Sequence, residues 1–167
     1  MMAKGSNIDI SQVESIIKRL RAGLQPNASP IMRSKAGYIA NDKGKEPYDV
    51  PNPPDVSQVA LWNEYGTETI PARPFMARAQ KDGFTRCTRL VHVRMNEGRS
   101  DMEQVAKECG EVLANAIKRQ ITKGTFAPNA RSTVRQKHSS HPLIDTGNMH
   151  NAVHWGVETR DGDKIIE

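Results

Sequence analysis

Residues 101–123, DMEQVAKECGEVLANAIKRQITK, carry the longest regular hydrophobic pattern of the chain. Apolar side chains recur there every three or four residues, which is the spacing of one face of an α-helix. Ser100 and Glu103 have the positions of a capping box, and Gly124 is placed to end the helix. The stretch therefore predicts a helix over about 101–123 that forms the spine of the core.

Three further helices are predicted from shorter patterns. The first spans 11–22, after a capping box at Ser11. The second spans 56–65, between Asp55 as the cap and Gly66 as the stop. The third runs from about Phe75 to Asn96, and its predicted apolar face contains Phe75, Met76, Ala79, Phe84, Cys87, Leu90 and Val91.

The remaining stretches predict a small sheet and long loops. A short strand is expected within Ile31–Ala40, and a hairpin is expected from Asn151–Glu158 and Lys164–Glu167 across a glycine turn. Residues 43–54 are rich in proline, and 125–142 are polar and without a regular pattern, so both are expected to be loops. The fold class predicted is a single α+β domain over 1–167, with a small antiparallel sheet packed against two or three helices.

Composition excludes several classes of protein. The chain has 167 residues, 37% of them hydrophobic and 26% charged, which is typical of one soluble domain. No apolar run approaches the roughly 20 residues of a membrane helix, and the N-terminus lacks the apolar segment of a signal peptide. We therefore expect no membrane partner and a protein that is made and used in a cytoplasm. Cys87 and Cys109 form no CxxC pair and are expected to be buried free thiols.

No residue pattern predicts catalysis, a metal or a cofactor. Ser139, Ser140, His141 and Asp145 are the residue types of a catalytic triad, but no G-x-S-x-G elbow surrounds either serine. Four histidines, His138, His141, His150 and His154, lack a carboxylate or cysteine at a metal-site spacing. His150 and His154 are expected in a strand, where residues four apart are widely separated.

The strongest electrostatic feature is a basic tract, since no acidic residue occurs between Glu111 and Asp145 and the net charge of the chain is +5. Its six cations are Lys118, Arg119, Lys123, Arg131, Arg135 and Lys137. Two interpretations stay open for them: non-specific contact with DNA phosphates, or contact with an acidic neighbouring subunit. Phe126 is the one aromatic residue in the tract, so base stacking is not indicated.

Two motifs give the chain a recognisable resemblance. VALWNEYGT at 59–67, followed by IPARPFM at 70–76, resembles a signature of tailed-bacteriophage minor structural proteins, a family of virion morphogenesis, neck and tail-completion proteins. PLIDTGNM at 142–149 resembles a second signature of the same family, in the same order. The resemblance covers about 31–158. It departs from the family at 151–153, where serine and isoleucine are frequent and this chain has Asn-Ala-Val.

The resemblance implies an α+β fold, no catalysis, and a homo-oligomeric ring, expected to be a hexamer, in the neck of the virion. The implied partners are the tail tube or a tail terminator protein on one side and the head connector on the other. Three alternatives stay open: a tail terminator that stops tube polymerisation, a basic DNA-binding domain outside any virion, and a hydrolase using His141 and Asp145.

The same motifs supply the candidate interface residues. Prolines stiffen the connection to the third helix, and the guanidinium of Arg73 suits a carboxylate or backbone carbonyls. Asp145-Thr146-Gly147 predicts a turn with a positive φ at the glycine. Trp62 and Phe75 are expected to fill the core more than an interface. The full candidate set is Trp62, Tyr65, Ile70, Pro71, Arg73, Pro74, Phe75, Leu143, Asp145, Thr146 and Gly147.

Overall fold

Helices dominate the computed structural model, which describes residues 32–38, 51, 53–98, 101–158 and, for the backbone alone, 164–166. The elements are β1 Arg33–Gly37, α1 Val56–Tyr65, α2 Phe75–Asn96, α3 Met102–Lys123, α4 Arg131–Lys137, α5 Asn148–Asn151, β2 His154–Glu158 and β3 Lys164–Ile166. These residues belong to one compact unit, Met32–Glu167. The predicted helix 11–22 and most of the predicted loop 43–54 lie outside the described residues.

Helix α3 is the spine that the hydrophobic pattern predicted. Its start is capped by Asp101, whose carboxylate accepts the N–H of Gln104 at 3.1 Å. The cap is thus one residue later than the predicted Ser100, because aspartate satisfies a free N–H as well as serine does. The buried face consists of Val105, Cys109, Gly110, Ala114, Ala116, Ile117 and Ile121.

Helix α2 lies antiparallel to α3, and its predicted bounds are confirmed. Salt bridges join the two helices near each end: Asp82 lies 3.4 Å from Arg119, and Glu108 lies 2.8 Å from Arg94. The predicted apolar face was wrong at Phe84, which is 71% exposed. The buried positions are Phe75, Ala79 and Gly83, four residues apart, and Phe84 falls one step around the helix from that line.

The sheet is antiparallel, with the order β1-β2-β3 among the described strands. Lys35 pairs with Gly156, and Gly156 in turn pairs with Ile166. These strands confirm the predicted strand within 31–40 and the antiparallel pairing of the terminal hairpin, whose predicted glycine turn lies outside the described residues. The second strand begins at His154 and not at the predicted Asn151, because residues 148–151 form the helical turn α5.

The core lies where α3 meets the other elements. Its fully buried large side chains are Phe75, Ile121, Val153 and Val157. Phe75 belongs to α2, Ile121 to α3 and Val157 to β2, and Val153 comes directly before β2. Helix α3 contacts both β1 and β2. The molecule is therefore an α+β fold, a small antiparallel sheet covered by helices, as predicted.

The two thiols lie at the α2–α3 contact. Both are free, and the Sγ of Cys87 lies 3.5 Å from the backbone oxygen of Cys109. Burial raises the pKa of the Cys109 thiol to about 12. The thiol therefore stays protonated at neutral pH and behaves as a small apolar side chain. The prediction of free thiols is confirmed for both cysteines, and that of burial for Cys109, since Cys87 is only partly buried.

Within the described residues, no helix has both the length and the apolar character needed to cross a membrane.

Two helical glycines test how closely the elements pack. A Cβ added at Gly110 would lie 2.5 Å from Cε3 of Trp155, an atom of a rigid ring, whereas one added at Gly83 would lie 2.8 Å from the mobile tip of Leu113. Gly→Ala normally stabilises a helix by about 1 kcal/mol. We expect Gly83→Ala to be neutral or mildly stabilising, and Gly110→Ala to destabilise by about 1–3 kcal/mol because the ring must move.

Urea unfolding of both variants measures the difference. An equal gain of stability in the two variants would mean that Trp155 does not press on α3.

Candidate functional site

The two motifs, far apart in sequence, line one groove of about 330 Å³. The first motif contributes Trp62, Ile70, Pro71 and Arg73. The second contributes Leu143, Asp145, Thr146 and Gly147. Lys137 of α4 lines the groove between them. The structure thus brings together most of the candidate interface residues that sequence reasoning selected separately.

A tight turn after α1 shapes the first motif. Gly66 has φ +78°, and a Cβ there would lie 2.9 Å from both the oxygen of Ile70 and the nitrogen of Ala72. The hydroxyl oxygen of Thr67 accepts the N–H of Thr69 at 3.3 Å and of Ile70 at 3.1 Å. Glycine is needed at this position because any side chain would collide with the returning backbone.

Glu64 of the same motif caps the next helix. Its carboxylate accepts the N–H groups of Met76 and Ala77 at 2.7 and 3.0 Å. Helix α2 has no acidic residue in its own first turn, so Glu64 supplies the negative charge that the helix N-terminus favours. Sequence reasoning missed this role. The one signal was a helix start without a capping side chain, preceded by an acidic residue in α1.

Arg73 is the buried centre of the site, with only 4% of its surface exposed. Its Nε donates to the oxygen of Ala127 at 2.9 Å, and Nη1 donates to Oδ1 of Asn63 at 3.0 Å. Nη2 donates to the oxygen of Pro128 at 3.3 Å and to Oδ1 of Asn129 at 3.1 Å. All four acceptors are neutral, and burial lowers the pKa of the guanidinium. Arg73, a candidate interface residue, is therefore an interior residue that binds its own chain.

A chain of hydrogen bonds extends from Arg73 to the second motif. Asn129 Nδ2 donates to the oxygen of His141 at 3.1 Å. The ammonium of Lys137 donates to that same oxygen at 2.5 Å and to the oxygen of Ile144 at 2.6 Å. We call the set Asn63, Arg73, Asn129 and Lys137 the Arg73 network.

The Arg73 network corrects one prediction and gives Lys137 a structural role. The stretch 125–142 was predicted to be without structure, but it contains α4 and is held to the rest of the domain by Arg73 and Asn129. Polar patterns give no hydrophobic signal for such a segment, because side-chain hydrogen bonds to backbone oxygens replace apolar burial. Lys137 was a candidate for DNA contact, yet it is partly buried and bound to its own backbone.

The second motif forms the predicted turn. Gly147 has φ +83°, and the hydroxyl of Thr146 accepts the N–H of Asn148 at 3.2 Å. Leu143 and Met149 are both 5% exposed and belong to the core. Leu143 and Phe75, both candidate interface residues, thus lie in the interior, as the apolar character of each allows.

The basic tract does not form one uniform surface. Arg119 pairs with Asp82, and the partly buried Lys137 binds backbone oxygens of its own chain. Lys123, Arg131 and Arg135 are exposed and form no ion pair within the described part of the chain. Lys118 is partly exposed, so these three are the most accessible cations of the tract.

Helix α1 carries large apolar side chains outward. Leu61, Trp62 and Tyr65 are 56%, 41% and 76% exposed, whereas the smaller Val56 and Ala60 are buried. Trp62 was expected to fill the core, but the inward positions are already taken. An apolar helix surface on both sides is typical of a helix that is covered by a partner.

The described contacts of the triad and metal candidates are mainly with the backbone. His141 Nε2 lies 2.9 Å from the oxygen of Thr122, and the hydroxyl of Ser139 accepts the backbone N–H of His141. His150 lies in α5 and not in a strand, while His154 lies in β2. Among the residues with described positions, no group of three or more His, Cys, Asp or Glu is placed to hold a metal.

Comparison with known protein families, with curated proteins and with solved structures found no match for this chain.

The Arg73 network predicts a large loss of stability when the guanidinium is removed. Arg73→Gln leaves several buried oxygen atoms without a donor, and we expect it to lower the free energy of unfolding by about 2–4 kcal/mol. Arg73→Lys should rescue little of this, because one ammonium cannot reach four acceptors arranged around a planar fork.

Arg131→Gln, an exposed arginine on α4, is the matched control and should change stability by less than about 0.5 kcal/mol. Urea unfolding and limited proteolysis within 125–145 report the two effects. If Arg73→Gln unfolds like the control, the network does not hold this segment.

Proposed function

We propose that this chain is a structural subunit of a bacteriophage neck, a tail-completion protein that forms a ring between the tail tube and the head connector. The resemblance of two motifs to tailed-phage minor structural proteins supports the proposal. The observation that carries it is the outward apolar face of α1, because large side chains of the first motif lie exposed above small buried ones. Its function is assembly, and no reaction is part of it.

The exposed face of α1 has the chemistry of a protein interface. Tyrosine, tryptophan and leucine side chains bury much apolar area on docking, and aromatic residues dominate the binding energy of many interfaces. Leu61 and Tyr65 also line a second groove, of about 660 Å³, together with Met76 of α2. We call Leu61 and Tyr65, with this groove, the α1 patch.

The α1 patch is held rigidly. Glu64, from the same helix, caps α2, and Asn63 binds Arg73. These bonds fix α1 relative to α2 and to the second motif before any partner arrives. A preorganised surface loses less conformational entropy on docking, so more of its contact energy appears as affinity.

A closed ring built head to tail needs two different patches on each subunit. The second is supplied by Val93 and Met95, near the end of α2, and Met102, at the start of α3, each nearly half exposed. The α1 patch contacts α2 at Met76, near the start of that helix. About 28 Å of helix lies between Met76 and Met95, so the two patches lie near opposite ends of α2. We assign the patch of Val93, Met95 and Met102 as the surface that meets the α1 patch of the next subunit.

The accessible cations Lys123, Arg131 and Arg135 lie outside both patches. In a ring they are available to packaged DNA or to an acidic surface of the neighbouring tier. The expected copy number of six, the tail-tube partner and the connector partner come from the resemblance.

Patch variants test the ring. We expect Leu61→Ser with Tyr65→Ser, or Val93→Ser with Met95→Ser, to abolish rings in native mass spectrometry at assembly concentrations, because each pair removes one of the two complementary surfaces. Mixing the two double variants should give heterodimers without rings, since each contributes one intact patch.

The wild-type protein is the reference, measured with tail tube or connector present. Rings that persist in both double variants, or a wild-type protein that stays monomeric with its partners present, would contradict the proposed assembly.

Deletion of the gene from its phage separates this function from the alternative. A tail-completion protein predicts tails of normal length that do not attach to heads, because tube polymerisation still ends at its usual point. Loss of a terminator predicts overlong tails. Electron microscopy of the lysate distinguishes them, with the wild-type gene supplied in trans as the control.

A further inference from the structure

Positive charges outnumber negative charges in the groove between the two motifs. Three charged side chains line it, namely Arg73, Lys137 and Asp145. Two cations and one carboxylate leave one net positive charge in a concave site with apolar walls. Such a site concentrates positive potential, because low-dielectric walls do not screen it as water does.

Both cations have donors to spare. A guanidinium carries five N–H groups, and the described contacts of Arg73 use four of them. An ammonium carries three, and Lys137 uses two of them on the oxygens of His141 and Ile144. The accepting oxygens are neutral in every case. One N–H on each cation therefore remains for an acceptor that the described part of the chain does not provide.

The two cations also influence each other. Burial lowers the pKa of Lys137, the charge of Asp145 raises it, and the charge of Arg73 lowers it further. Asp145 lies at the exposed rim and offsets part of this repulsion. A second carboxylate would complete the compensation, and charge-assisted hydrogen bonds to it would be among the stronger contacts available.

The apolar walls of the groove indicate what kind of ligand would supply this second carboxylate. Trp62, Ile70 and Pro71 present apolar surface beside the cations. The volume of the groove, about 330 Å³, is at the small end of the range for ligand pockets, whose volumes are roughly 300–1,000 Å³. A peptide with an acidic side chain next to an apolar one matches both features, whereas a DNA backbone would place hydrated sugars against the apolar walls.

We propose that this groove is a docking site for an acidic, apolar peptide segment of a partner protein, whose carboxylate bridges Arg73 and Lys137 while its neighbouring apolar side chain contacts Trp62. The site is separate from the α1 patch, and binding does not require the ring. The changes in peptide binding expected for the variants below therefore test this site even if the ring proposal fails.

Fluorescence anisotropy with the full-length protein and a labelled peptide of alternating Leu and Glu tests the site. We expect saturable binding by the wild type and loss of binding by the same peptide with Gln in place of Glu. Lys137→Gln should weaken binding about tenfold, because it removes one charge-assisted bond. Trp62→Ala should weaken binding as well, by removing an apolar wall.

Two further variants make the result specific. Lys123→Gln removes an equal charge from an exposed position outside the groove and should change affinity less than about twofold. Asp145→Asn removes the competing rim carboxylate and should strengthen binding about two- to threefold, an effect that partial unfolding cannot imitate. The proposal is overturned if the Gln peptide binds as well as the Glu peptide, if both lysine variants weaken binding equally, or if the wild type shows no saturable binding.

Discussion

The guanidinium of Arg73 is the interaction on which the site depends. It lies almost fully buried, and it donates hydrogen bonds to Asn63 of α1 and to the segment 127–129. A buried cation without partners is costly, so these four neutral acceptors are as necessary to Arg73 as Arg73 is to them. Through Asn129 and Lys137 the same contacts reach the second motif, which explains why two short segments far apart in sequence occupy one groove.

The polar residues and the large apolar residues of the first motif have different structural roles. Its polar residues Asn63 and Glu64 bind groups of the same chain: Asn63 accepts a hydrogen bond from Arg73, and Glu64 caps α2. Its large apolar residues Leu61, Trp62 and Tyr65 turn outward instead. Helix α1 thus carries apolar side chains on its solvent side as well as on its core side, where Val56 and Ala60 are buried. In the proposed assembly, the polar residues provide rigidity and the exposed apolar residues provide a surface to be covered.

The candidate residues therefore separate into two groups with different consequences. Arg73, Phe75 and Leu143 maintain the interior, so their loss acts first on stability. Tyr65, Pro71, Asp145 and Thr146 lie exposed at the surface. The basic tract divides in a similar way: Arg119 and Lys137 bind groups of their own chain, and Lys123, Arg131 and Arg135 are exposed. Treating either set as a single surface would mix folding defects with assembly defects.

Apolar spacing, caps and glycine stops determined the bounds of α1, α2 and α3 and indicated the terminal hairpin and the α+β class, because these are local signals. The turn at Gly147 was also readable, since few residues tolerate a positive φ. Tertiary structure decided the rest. Phe84 faces solvent because the line of buried residues runs beside it, and Trp62 is exposed because Val56 and Ala60 occupy the inward positions. Helix α4 and the Arg73 network left no hydrophobic pattern, because they are held by hydrogen bonds between segments that only the folded chain brings together.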